Sequence, residues 1–277
     1  MLKLNEVNKR FKKVLIAENI SLQLDNCTYG LLGRNGSGKT TMLRCITDVE
    51  KIDKGSITYV GEDGVETKNY LNKIGYLPQS FDIFNELTAA EALQFFANLK
   101  KVEITGEQID KLLTSLNLIE KKNEMVKTLS GGMKRRLGIA QSLIGNPEIL
   151  LLDEPTAGLD PEERVNFKNV IRAEKKNRCI VLSTHIITDI ESLCDKIIVL
   201  NNGHITQFNS CEELASVAKG KIFAVKNEDE IKCKFHSMGA VTIDNETYVK
   251  VICQNPIDAL QLNPTVEDGY ICFLENL

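Results

Sequence analysis

The stretch Gly33 to Thr40 reads GRNGSGKT and stands between an apolar, strand-like run, TYGLL, and a helical run, TTMLRCI. It fits the pattern G-x-x-x-x-G-K-[ST], in which glycines let the backbone wrap until several N–H groups point at one phosphate. The helix that follows adds its positive N-terminal end. In such a loop Gly33, Arg34, Asn35, Gly36, Ser37 and Gly38 form the cradle, Lys39 reaches the outer phosphates, and Thr40 gives its hydroxyl to Mg²⁺, with Thr41 beside it.

The rest of the chain arranges itself around this loop. Before residue 60, LKLNEV, the alternating run Ile20 to Leu24, Thr28 to Leu32 and SITYV read as short strands, and period-two alternation predicts an antiparallel sheet. From about residue 80 to 146 the period turns helical. Thr88 with Glu91 and Thr105 with Gln108 are capping boxes ahead of apolar helical faces, so this stretch is predicted as a helical subdomain. After Glu148 the continuous runs ILLL, CIVLS and KIIVL alternate with helical patterns, as expected of parallel strands buried on both faces. Asn201 to Gly203 predicts a hairpin turn. The predicted fold is α/β: a P-loop parallel-sheet core, an N-terminal antiparallel β subdomain and a helical subdomain within residues 1–218, then a small α+β appendage over 219–277.

Composition narrows the partners. Among 277 residues, 34 Lys and Arg stand against 38 Asp and Glu, a net charge of -4, so no basic excess exists for nucleic acid. The longest aliphatic runs are four residues, and the N-terminus lacks a signal-peptide core, so the expectation is a chain on the cytoplasmic side without a membrane span. Eight cysteines, with no C-x-x-C spacing, are expected as buried thiols.

Two further motifs complete a nucleotide site. Leu150 to Glu154, LLLDE, is an aliphatic strand that delivers two carboxylates at its C-terminal end, where ligands bind in open α/β sheets. Asp153 can join the Mg²⁺ shell, and Glu154 can orient and deprotonate a water. LSGGM, Leu129 to Met133, opens another helix, with Ser130 as N-cap and Gly131 and Gly132 leaving its start uncovered.

GRNGSGKT, YLPQ, LSGGM, LLLDEP, AGLD and STH occur in the order and at the spacing found in the ATP-binding subunits of ABC transporters, which this chain resembles over about residues 1 to 218. Ser130 lies 23 residues before Asp153, and His185 lies 32 after it. The resemblance implies an ATPase that uses ATP and Mg²⁺, pairs head to tail with a second such subunit, and drives separate transmembrane permease subunits from the cytoplasmic face of the membrane. It implies that Gln79 links Mg²⁺ to the membrane partner, that Asp160 makes a contact across the dimer, and that His185 bonds the γ-phosphate and the attacking water. It also implies an aromatic residue that stacks on adenine, for which Phe11 is the candidate, although a core phenylalanine fits the same position. Arg34 and Met133 stand where many relatives have Pro and Gln. LSGGM followed by basic residues, and the tail NPTVEDGYICFL, resemble the drug and antibiotic exporters of the family. An import motor shares the same core. A DNA-maintenance or ribosome-associated ATPase fits less well, because Lys39 and Ser130 are only 91 residues apart with no long heptad run, and there is one cassette.

Overall fold

Leu150 and Leu152 face one way and Ile149 and Leu151 the other along a single strand, and all four are buried. Continuous apolar runs therefore mark a sheet covered on both faces. The computed structural model of the chain describes residues 1–12, 14–81, 85–176 and 178–277; residue 13, and residues 82–84 at the start of the expected helical stretch, lie outside them. Met1–Gln207 and Phe208–Leu277 form two compact units.

The first unit begins with β1 (Leu2–Phe11), β2 (Val14–Leu24), β3 (Thr28–Leu32), α1 (Lys39–Ile46), β4 (Lys54–Val60), β5 (Glu66–Thr67) and β6 (Ile74–Leu77). It continues through α2 (Ala89–Leu99), α3 (Gly106–Ser115), α4 (Gly131–Leu143), β7 (Ile149–Asp153), α5 (Pro161–Glu174), β8 (Cys179–Ser183), α6 (Ile187–Leu193), β9 (Lys196–Asn201) and β10 (His204–Phe208). β2, β1, β4 and β5 make the N-terminal antiparallel sheet. The core sheet runs β10-β9-β3-β8-β7-β6, and β9, β3, β8, β7 and β6 pair in parallel. Thr28–Leu32 thus corrects one expectation. It does not join the antiparallel sheet but sits between β8 and β9, and all five of its residues are buried, as a two-faced central strand requires.

Each face of the core sheet has its own cluster. Leu150, Leu152, Ile180 and Leu182 pack with Leu93, Leu113 and Leu137 from α2, α3 and α4. Ile149, Leu151, Cys179 and Val181 pack with Leu43 and Ile46 of α1 and with Leu2, Leu4 and Leu24 of the antiparallel sheet. Full burial of each such side chain contributes about 1.5–3 kcal/mol. Both expected capping boxes form, Glu91 N donating to Thr88 Oγ1 and Gln108 N to Thr105 Oγ1, each at 3.2 Å. Asn202 (φ 50°) and Gly203 (φ 81°) are both left-handed, the turn that links β9 to β10.

The second unit comprises α7 (Cys211–Ser216), β11 (Ile222–Val225), β12 (Phe235–Ile243), β13 (Glu246–Cys253), β14 (Leu260–Gln261) and α8 (Val266–Glu275), with an antiparallel sheet in the order β12-β13-β11-β14. Its interior holds an ion pair, Lys250 Nζ 2.7 Å from the fully buried Asp268, which also caps α8 through Thr265. β12 was not expected, because none of its residues is fully buried, its half-buried and exposed positions follow no steady alternation, and it is interrupted by Gly239 at φ 94°. All eight cysteines are free thiols, but only Cys45, Cys179, Cys253 and Cys272 are buried; the other four are half-exposed. No helix among the described residues is long and apolar enough to cross a membrane.

Candidate active site

β3 ends at Leu32 and α1 begins at Lys39, so Gly33 to Gly38 form a loop at the carboxyl edge of the sheet. Gly36 (φ 80°) and Gly38 (φ 103°) take left-handed conformations. At Gly38 a Cβ would lie 2.8 Å from Ile16 Cγ2, so glycine is required there for room as well as for conformation. No side chain caps α1, which leaves its first N–H groups open to an anion. Lys39 is buried and folds back across the loop, its Nζ donating to Gly33 O at 2.8 Å and Arg34 O at 3.2 Å. Burial lowers its pKa from the ordinary value, and the carboxylates of Glu154 and Asp153 pull it partly back.

The loop opens into a cleft of about 520 Å³ lined by Phe11, Val14, Ile16, Asn35, Gly36, Gly38, Lys39, Thr40, Thr41, Gln79, Glu154, Ala157 and His185. Six strands supply this set: β1 and β2 of the antiparallel sheet bring Phe11, Val14 and Ile16, and in the core sheet β3 delivers the loop, β6 ends two residues before Gln79, β7 ends beside Glu154, and β8 ends just before His185. Gly33, Arg34 and Ser37 belong to the same loop but do not line the cleft.

Parallel pairing sets Asp153 opposite Ser183. Ser183 Oγ donates to Asp153 Oδ1 at 2.5 Å, while the buried Oδ2 has no hydrogen-bond partner in the protein. Asp153 lies behind the residues that line the cleft, and a buried, half-satisfied carboxylate there suits a hard divalent cation, which takes one or two carboxylates and completes its shell with phosphate oxygens and water. Among the described residues, no three His, Cys, Asp or Glu side chains cluster into a protein-only metal cage. Glu154 adopts φ 49°. A left-handed non-glycine residue costs about 1–2 kcal/mol and persists where its surroundings over-determine it. Here Glu154 N donates to Ser183 O at 3.0 Å and Ser183 Oγ at 3.2 Å, and Glu154 O accepts from Arg135 Nη2 at 2.7 Å. Its side chain is thereby aimed at His185, with Oε2 2.9 Å from Nδ1.

Other expected residues lie apart from the cleft. Ser130 caps α4, accepting from Met133 N at 3.2 Å, and Gly131 and Gly132 form the first turn of that helix. Asp160 caps α5, accepting from Glu163 N at 2.8 Å. None of these four lines the cleft. Sequence reasoning missed Ser183 and Arg135. The serine could have been found as the residue that ends β8 in register with Asp153; the arginine gave no signal, because the groups it binds are backbone carbonyls.

A model of the ABC transporter family matches residues 17–157. The ABC transporter ATP-binding protein YxlF of Bacillus subtilis (strain 168) is 30% identical over 273 residues, 97% of this chain and 88% of its own. The linearmycin resistance ATP-binding protein LnrL of the same organism is 33% identical over 223 residues, 78% of this chain and 71% of its own. Among solved structures, the dimeric post-hydrolysis state of the ATP-binding cassette MJ0796, bound to ADP and Pi, matches with a TM-score of 0.65 and 27% identity over 76% of this chain and 98% of that one. Phosphate loop, strand-end carboxylates, fold and sequence likeness agree: the chain belongs to the ABC transporter family, as an ATP-binding ATPase subunit.

Proposed function

We propose that this chain is the ATP-hydrolysing motor of a membrane exporter, with ATP held in the cleft between Lys39 and Glu154. The observation that carries the reading is the buried Glu154 carboxylate, which faces the same cleft as the phosphate loop and bonds His185. Phosphoryl transfer to water needs positioning and charge neutralisation more than covalent chemistry. Lys39 leaves the carbonyls of Gly33 and Arg34 and binds the outer phosphates. Thr40, Asp153 and Gln79 would hold Mg²⁺, which when bound would neutralise charge on those phosphates. Glu154 orients and deprotonates the attacking water, His185 donates to the γ-phosphate, and Phe11, 45% exposed at the cleft mouth, stacks on adenine.

Ser130, Gly131 and Gly132 lie outside the cleft of their own chain, as does Asp160. In the proposed assembly they act on the ATP of a second cassette, either another copy or a homologue, paired head to tail. The start of α4, which Ser130 caps through Met133 N, then brings a positive helix end to the partner's nucleotide. ATP closes the pair, and hydrolysis with loss of phosphate opens it, moving separate transmembrane subunits at the cytoplasmic face of the membrane. The likeness to LnrL, whose name is that of a resistance protein, favours export over import. Residues 219–277 are read as an accessory domain.

Exchange of Glu154 for Gln tests the assignment. Glu154→Gln is expected to bind ATP, accumulate an ATP-dependent dimer and lose turnover by about 100-fold or more, whereas Lys39→Ala is expected to lose nucleotide affinity. Hydrolysis by Glu154→Gln near the wild-type rate would overturn the role of Glu154.

A further inference from the structure

The guanidinium of Arg135, in the second turn of α4, is buried among carbonyls from two separate loops. Nη1 donates to Pro78 O at 2.7 Å and Gln79 O at 2.9 Å. Nη2 donates to Glu154 O at 2.7 Å and also to Asp153 O, and Nε donates to Pro155 O at 3.3 Å. The planar fork of an arginine holds five donors in fixed directions and so serves two loops at once, whereas a lysine ammonium offers three donors from a single point. Both loops end at the cleft, since Gln79 and Glu154 line it. Glu154 is also held from its other side, its N–H bonded to Ser183, so the peptide groups flanking its left-handed Cα are both fixed.

We propose that Arg135 is a positioning residue for hydrolysis: it ties the backbone of Glu154 to the Pro78–Gln79 turn, so that the carboxylate is aimed by a rigid frame and a shift of that turn moves it. The inference rests on the reading of Glu154 as the base. It differs from a role in nucleotide affinity, because Arg135 does not line the cleft and bonds no group of the phosphate loop.

The test compares Arg135→Met, which fills similar space without donors, with Arg135→Lys in the full-length chain. Steady-state ATPase, binding of a fluorescent ATP under non-turnover conditions and ATP-dependent dimerisation are measured together. For Arg135→Met the expected result is a kcat lower by about 10- to 100-fold, with KM and ATP affinity within about threefold, and a trapped ATP-bound dimer like that of Glu154→Gln. Arg135→Lys should fall between, because one donor point remains. A kcat within about twofold of wild type, or ATP affinity lost in step with kcat, would overturn the proposal. Should Arg135→Met not fold, Arg135→Lys is read by the same criteria, and failure of both to fold assigns Arg135 to the scaffold alone and refutes the positioning role. The two readings fail separately: a dead Glu154→Gln beside an unimpaired Arg135→Met refutes only the role of Arg135, whereas an active Glu154→Gln refutes the base itself.

Discussion

His185 Nδ1 lies 2.9 Å from Glu154 Oε2, with the carboxylate side chain 9% exposed and the imidazole 57% exposed. The pair therefore presents one edge to the protein and the other to the cleft. His185→Ala should leave ATP affinity within about threefold and lower kcat by about 10- to 1,000-fold, since it removes one donor to developing charge. Parallel binding and turnover measurements check this; unchanged turnover would assign His185 to packing.

Ser183 joins the two carboxylates, donating to Asp153 Oδ1 and accepting from Glu154 N. Ser183→Ala leaves a buried carboxylate without its donor, which should lower unfolding free energy by about 1–3 kcal/mol in a urea titration. It should also raise the Mg²⁺ concentration needed for half-maximal ATPase, because the orientation of Asp153 is no longer fixed.

Lys100, at the end of α2, donates to Ile144 O at 3.1 Å, and burial pushes its pKa down from 10.5 to about 8. The unfolded chain thus binds this proton more tightly than the folded one does. The lysine destabilises the fold most below the folded pKa, and the penalty fades as pH rises from about 8 to 10.5. Lys100→Met should therefore gain about 1–2 kcal/mol of stability at pH 7, and the gain should shrink across that window. Denaturant titrations at neutral and alkaline pH measure the difference; a gain that grows with pH would contradict it.

Met133 stands at the start of α4, where its backbone N–H meets Ser130 and its half-buried side chain packs on the helical core. The cap uses the backbone and is indifferent to the side chain. Met133→Gln should change ATPase rate by no more than about threefold, because the backbone cap survives and the half-buried side chain is replaced by one of similar size. A large gain in rate would show that the missing amide matters.

Much of the site was legible because its chemistry is local. Gly33 to Thr40 form their loop from consecutive residues, and the run LLLDE announces both its burial and the two acids at its end. The capping boxes at Thr88 and Thr105 are likewise written within four residues. What was hidden depends on distance in sequence. Arg135 meets Pro78 and Gln79 across 57 and 56 residues, through carbonyls that every residue possesses. β3 is a five-residue run, TYGLL, too short to tell from sequence whether one face or two are covered, and its place between β8 and β9 reveals that it is buried on both faces. β12 escaped because a half-buried strand broken at Gly239 has no clean period.

The most direct measurement is an affinity purification of tagged Glu154→Gln from its own cells, in mild detergent with Mg²⁺ and ATP, followed by identification of what accompanies it. The motor-subunit account predicts a polytopic membrane protein in stoichiometric amount together with a second cassette subunit. Ribosomal or DNA-bound partners without any membrane protein would contradict it.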